Sequence, residues 1–139
     1  MSDSIPGRVR GSVHQISRTT ITTYWIVTVI IALESLAGGI ADIVQAPVYI
    51  KVLTHLGYPR YFSIILGAAK VLASVTILVP NYVHLKEWAY AGLVFQFIGA
   101  LLSHLFSGDG ATAFIAPFIF LCLVFISWFS RPASRRFYF

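Results

Sequence analysis

Hydrophobic positions along the chain gather into four long runs, about 22–43, 61–79, 87–106 and 112–130, separated by polar stretches. Each run is close to the ~20 residues with which a helix crosses the hydrocarbon core of a bilayer. Inside lipid a backbone must satisfy its own hydrogen bonds, so these runs are expected to be helices. Mostly short links predict an all-α polytopic membrane protein, an antiparallel four-transmembrane-helix bundle formed as one domain over residues 1–139. The links at 81–86 and 107–111 read as tight turns, whereas 44–60 is long. Within it Pro47 stands near a helix start and Gly57 just past its end, with Lys51, Thr54 and His55 at near-helical spacing among apolar neighbours. That pattern predicts a short interfacial helix between helices 1 and 2, the alternative being an irregular surface loop.

Composition agrees with the pattern. Hydrophobic residues make up 58% of the chain and charged residues 11%, against about 25% charged in an ordinary soluble domain. The mean hydropathy is +0.81, and the expected surroundings are a lipid bilayer. The net charge of +5 is accounted for by topology. Basic tails at 1–21 and 131–139 hold Arg8, Arg10, Arg18, Arg131, Arg135 and Arg136, and with Lys86 they fall on one side of the bundle. The other side has Lys51 and Arg60. The excess places both termini in the cytoplasm and the protein in the cell inner or plasma membrane. Trp25, Trp88 and Trp128 fall at that same interface. Neither a glycine-rich phosphate loop nor an aromatic–basic RNA motif is evident, so no nucleic acid is expected as a partner.

Arg8, Arg10 and Arg18 precede an apolar stretch, as in a signal peptide, but no convincing cleavage signal follows, and the stretch reads as a retained helix. The single cysteine, Cys122, excludes an intrachain disulfide and a CxxC redox pair. It reads as a buried, inert thiol.

The candidate chemistry lies at mid-run. Lys70 sits at the centre of the second run, where an ionisable side chain costs a few kcal/mol and marks a candidate functional site. Glu34 and Gln96 fall near the centres of the first and third runs, which predicts one polar layer of Glu34, Lys70 and Gln96. Eight residues outward, about 12 Å along a helix, a second layer is expected from Asp42, His104 and Tyr61 beside Phe62. Glu34, Gly38 and Asp42 form one stripe, Ser63, Gly67, Lys70 and Ser74 another, and Gln96, Gly99, Ala100 and Ser103 a third. Small and polar stripes of this kind favour close helix approach, so all three are expected to face inward. Glu34 and Lys70 have two readings, an ion pair that sets helix register and a cavity that handles a proton or a lipophile. His104 with Asp42 reads as a proton-transfer pair, or else His104 bonds a neighbouring backbone. His14, His55, His84 and His104 share no helical spacing, and no metal site is assigned. Asp109 is expected at a turn or N-cap, Glu87 in the first turn of helix 3, and Pro117 as a bend in helix 4.

The blocks His55-Leu56-Gly57-Tyr58-Pro59, Tyr61-Phe62 and Ile65-Leu66-Gly67-Ala68-Ala69-Lys70-Val71-Leu72 resemble the DoxX-like family. So do Leu85-Lys86-Glu87-Trp88-Ala89-Tyr90-Ala91-Gly92, Ile98-Gly99-Ala100 and Ser103-His104. The resemblance covers roughly residues 20–130 and implies a four-helix integral membrane protein. The family is functionally diverse. Its name-giving relatives are linked to a membrane thiosulfate:quinone oxidoreductase, and others to oxidative-stress or redox systems. Members often carry an aspartate where this chain has Gln96, a change that removes a proton acceptor.

The leading expectation is a membrane protein that binds a quinone-like or other small lipophilic molecule as an accessory subunit of a redox system. Lys70, Glu34, Asp42 and His104 would carry the chemistry, and Gln96, Tyr61, Phe62 and Ser103 would line the ligand site. No haem, flavin or iron–sulfur motif is present, so the expected cofactor is a diffusible quinone, with a redox partner protein or homo-oligomer. The alternatives are an intramembrane acid–base enzyme (isomerase, cyclase or hydrolase) acting on an apolar substrate, and a structural or assembly protein.

Overall fold

The computed structural model describes residues 17–137. The first sixteen residues, with Arg8, Arg10 and His14 of the basic tail, lie outside the described residues. The four apolar runs wind into long helices: α1 (Arg18–Ile43), α3 (Phe62–Leu78), α4 (Val83–Phe106) and α5 (Thr112–Phe129). A short helix, α2 (Pro47–His55), lies between the first two, and a single 3₁₀ turn covers Ala133–Arg135. No strand occurs among the described residues. By length and composition α1, α4 and α5 can each cross a membrane, while α3 is apolar but has 17 residues.

Helix ends differ from the sequence reading where capping extends them. Ser17 accepts from the Thr19 amide at 3.2 Å, so α1 begins at Arg18 rather than near 22. Asn81 and Tyr82 have φ of 65° and 48°, a left-handed pair that turns the chain within two residues. Helix α4 therefore starts at Val83, and Lys86 and Glu87 are helical rather than in the turn or at the helix start. Pro47 occupies the first turn of α2, and Gly57, at φ 88°, follows its C-cap Leu56. Pro117 lies inside α5, which continues on both sides of it.

Helix α1 packs against α3 and α5, and α4 packs against the same two helices. Helix α2 packs against α1 and α3. Side-chain contacts show that α1 and α3 run antiparallel: Ser63 meets Asp42 and Ser74 meets Ala32. The apolar core, Val27, Ile31, Ala32, Ile77, Tyr90, Leu93, Phe97 and Val124, fills the half nearest the α3–α4 turn. A hydroxyl cluster sits within this half. Ser127 bonds both Thr28 and Tyr90 at 2.7 Å, joining α1, α4 and α5. Cys122 is exposed on α5 rather than buried, because the inward positions of that helix are Val124 and Ser127.

Candidate functional site

The other half of the structure is built around charge. Gly39 and Gly67 bring α1 and α3 into backbone contact: a Cβ on Gly67 would strike the Gly39 carbonyl oxygen and lie 2.8 Å from Ile43 Cγ1. This closeness lets short polar side chains reach across. Ser63 Oγ donates to the Asp42 carbonyl at 2.5 Å, and Ser74 Oγ donates to the Ala32 carbonyl at 2.8 Å. Between these two bonds Lys70 Nζ donates to Asp42 Oδ2 at 2.9 Å, with the aspartate side chain 2% exposed.

Glu34 completes the centre. Its Oε2 accepts from Ser35 Oγ at 3.2 Å, leaving Oε1 turned towards Gly38. A Cβ on Gly38 would meet Glu34 Oε1 at 3.5 Å, Lys70 Nζ at 3.6 Å and Tyr49 Cε1 at 3.8 Å. Three side chains from α1, α3 and α2 thus converge over a residue that has none. The Tyr49 ring centroid is 5.9 Å from Lys70 Nζ, an outer-range cation–π contact. Asp42 is fully buried and Glu34 only half-buried, so the centre opens on the Glu34 and Tyr49 side. With every group ionised, two carboxylates face one ammonium, and one proton on a carboxylate neutralises the cluster.

A second polar cluster lies at the α4–α5 turn. Asp109 accepts from His104 Nδ1 and from His55 Nε2, each at 2.6 Å. These bonds, that from His104 the stronger influence, hold the Asp109 carboxyl below its ordinary pKa. The His55 bond ties the end of α2 to the opposite side of the fold. A neighbouring tie runs from Tyr58, whose hydroxyl is 2.7 Å from Ser103 Oγ and whose ring stacks on Phe62 at 4.7 Å.

The sequence-derived candidates therefore fall into separate places. Glu34, Lys70 and Asp42 come together, but the Lys70 ion pair is with Asp42, about two turns nearer the α2 end than mid-helix counting suggested. His104 does not pair with Asp42. It is spoken for by Asp109, which lies in the α4–α5 turn but is not an N-cap, since α5 begins at Thr112 with no side-chain cap. Gln96 lines a groove between α3 and α4 with Leu66 and Ala69, on another face of α3 from the one that carries Lys70. The α4 stripe of Gln96, Gly99, Ala100 and Ser103 is half-buried, while Lys86, Tyr90, Leu93 and Phe97 form its buried face. Phe62 and Ser103 meet through Tyr58, and Tyr61 is 66% exposed. Glu87 pairs with Arg131 at 2.7 Å and accepts from Trp128 at 2.8 Å, instead of serving the helix start.

Tyr49 and His55 were not singled out as site residues. The signal for Tyr49 was present in its spacing, because Tyr49 and Leu53 share one face of α2 and Leu53 is its buried anchor. Among the described residues no group of three or more histidine, cysteine, aspartate or glutamate side chains is placed to hold a metal ion.

No curated protein matches the chain, and no solved structure does. A family model does: that of the DoxX-like family aligns over residues 26–127, from the third turn of α1 to the last turn of α5. That span takes in the acid–lysine centre, the His55–Asp109–His104 cluster, all of α4 and most of α1 and α5, the three helices long enough to cross a bilayer, and so the chain is an integral membrane protein belonging to the DoxX-like family.

Proposed function

We propose that the chain crosses the membrane four times as an antiparallel bundle, both termini cytoplasmic, and binds a small quinone-like lipophile beside its acid–lysine centre. Helix α3 is at the short end of the spanning range, and its antiparallel contact with α1 supports a crossing. The orientation rests on Arg18, Lys86, Arg131, Arg135 and Arg136 lying at one end, against Lys51 and Arg60 at the other.

One observation carries the functional reading: Glu34, Lys70 and Tyr49 meet over Gly38 while Asp42 anchors the lysine from behind. With no Cβ at Gly38, a ligand's carbonyl oxygen can approach the three side chains, its ring lying outside them on the open Glu34 and Tyr49 side. Lys70 has three N–H donors, of which Asp42 takes one. A second is available to a ligand carbonyl, Tyr49 offers an aromatic face, and Glu34 carries the proton that leaves or joins the ligand. Asp42, fully enclosed, fixes the ammonium in place. A quinone, when bound, supplies electron and proton carriage between membrane proteins, and a partner protein of the redox system exchanges the electrons. The chain's own part is to bind, orient and move a proton.

The test is mass spectrometry of the organic extract from protein purified in native lipid particles. A stoichiometric quinone, lost in Lys70→Met and retained in the surface variant Tyr61→Phe, is expected. Another enriched lipophile would favour an acid–base enzyme on an apolar substrate. Bulk lipid alone in both a folded wild type and a folded Lys70→Met would overturn the reading and leave a structural polar core.

A further inference from the structure

We infer that the chain holds one anionic phospholipid, its acyl chain in the groove between α3 and α4 and its phosphate on the cationic end beside that groove. This site is separate from the acid–lysine centre. Two independent features meet there.

The first is charge. Lys86 is wholly buried, and its ammonium donates to the Thr76 carbonyl at 2.7 Å and to that of Val79, closing the end of α3. Arg135 Nη1 donates to the Ile77 and Leu78 carbonyls at 3.2 and 3.3 Å, and its guanidinium lies over the Trp25 ring at 4.7 Å. Arg136 Nη2 donates to the Phe129 carbonyl at 2.6 Å. Arg131 alone faces a carboxylate, that of Glu87. Carbonyl oxygens are neutral acceptors, so Arg135 at the end of α3 and Arg136 at the end of α5 have no counter-charge among the described residues, while Lys86, its donors spent on the Thr76, Ile77 and Val79 carbonyls, adds positive charge from beneath. Their side chains are already fixed by the fold, which lowers the ordering cost of binding an anion. Guanidinium groups match phosphate oxygens in geometry as well as charge.

The second is shape. The α3–α4 groove has a volume of about 780 Å³ and is lined by Leu66, Leu72, Ala73, Leu85, Trp88 and Gly92, among others. Thr76 also lines it, and the Thr76 carbonyl is the one that Lys86 bonds, so the apolar groove starts at the cationic end. From Thr76 to Leu66 is ten residues of helix, about 15 Å. That is half the ~30 Å hydrocarbon thickness of a bilayer, the depth of one leaflet. A groove one leaflet deep with a cationic head position suits a single acyl chain and a phosphate. A second copy of the chain fits it poorly, because the two cationic ends would be brought together.

The experiment is native mass spectrometry after reconstitution in vesicles of equal parts phosphatidylcholine and phosphatidylglycerol. One phosphatidylglycerol per chain is expected to survive release, favoured at least fivefold over phosphatidylcholine. Arg135→Gln, at the end of α3 where the groove starts, should lower that preference about fivefold, the usual effect of one basic residue near an anionic surface. Gly92→Leu should expel the lipid, since a Cβ on Gly92 meets nothing within 4 Å and the added side chain fills the groove without a clash. Gly99→Leu, equally open but outside the groove, should retain it. Equal retention of the two lipids would overturn the inference, and so would phosphatidylglycerol retention unmoved by Gly92→Leu. Lys70→Met leaves this site untouched, so the two lipid-binding readings fail separately.

Discussion

The two faces of α3 are packed in opposite ways. Towards α1 it presents Ser63, Gly67, Lys70 and Ser74, all buried, and glycine lets the backbones touch. Towards α4 it presents Leu66, Ala69, Ala73 and Thr76 along an open groove. The polar face is tight because it has to be. A buried ion pair is tolerated only with excellent geometry and satisfied neighbours, and a small-residue interface supplies both. The apolar face has no such requirement. Lipid tails are as apolar as leucine, so a gap there can be filled by lipid without penalty.

Breaking the polar face should have the largest effect. Lys70→Met leaves Asp42 buried without its partner and should destabilise the fold by about 3–5 kcal/mol. Chemical denaturation in detergent micelles checks this. Adding Asp42→Asn to Lys70→Met should recover most of the loss, which Glu34→Gln in the same background should not. Next comes packing on that face. Gly67→Ala places a methyl against the Gly39 carbonyl and 2.9 Å from Asp42 Cβ, at an expected cost of about 3 kcal/mol, the upper part of the overpacking range. Thermal unfolding of the purified variant provides the measurement.

A smaller effect is expected where α2 is tied down, outside the packed faces. The Asp109 carboxyl has a lowered pKa in the folded state. Its stabilising contribution is thus complete above the ordinary carboxyl range and is lost as pH falls through the lowered folded value. Asp109→Asn should melt below wild type at neutral pH and converge with it in acid. Melting curves across that acid window would show it, and a constant gap at all pH values would contradict the assignment. The smallest change belongs to the groove face. Gly92→Ala adds a methyl to open space and improves helix propensity, so stability should stay within ~1 kcal/mol of wild type and not fall. A large loss there would mean that the two faces of α3 are packed alike.

Much of the helical order could be read in the sequence. Apolar runs of spanning length, Pro47 before Gly57, and the inward stripes on α1 and α3 all follow from periodicity, which is a local property. Glu34, Lys70 and Asp42 were legible as candidates because charge in an apolar run is rare and costly. Their partners were not legible. Counting from run centres set Lys70 opposite Glu34, but the depth of one helix against another is decided by where backbones interlock. Gly39 against Gly67 moves Lys70 to Asp42, eight residues or about two turns from Glu34. Asp109 was likewise legible only as a turn or N-cap residue, since nothing in a turn's sequence announces two histidines arriving from α2 and α4.

The sequence by itself determined that this chain is helical, apolar and built with ionisable groups at membrane depth, because hydropathy and 3.6-residue periodicity are written residue by residue. Tertiary structure alone decided that Lys70 bonds Asp42, that Tyr49 covers the centre, that Gln96 turns to the groove, and that Lys86 folds back on α3. Those outcomes depend on the relative depth and rotation of neighbouring helices, which contacts between distant residues establish and no local pattern records.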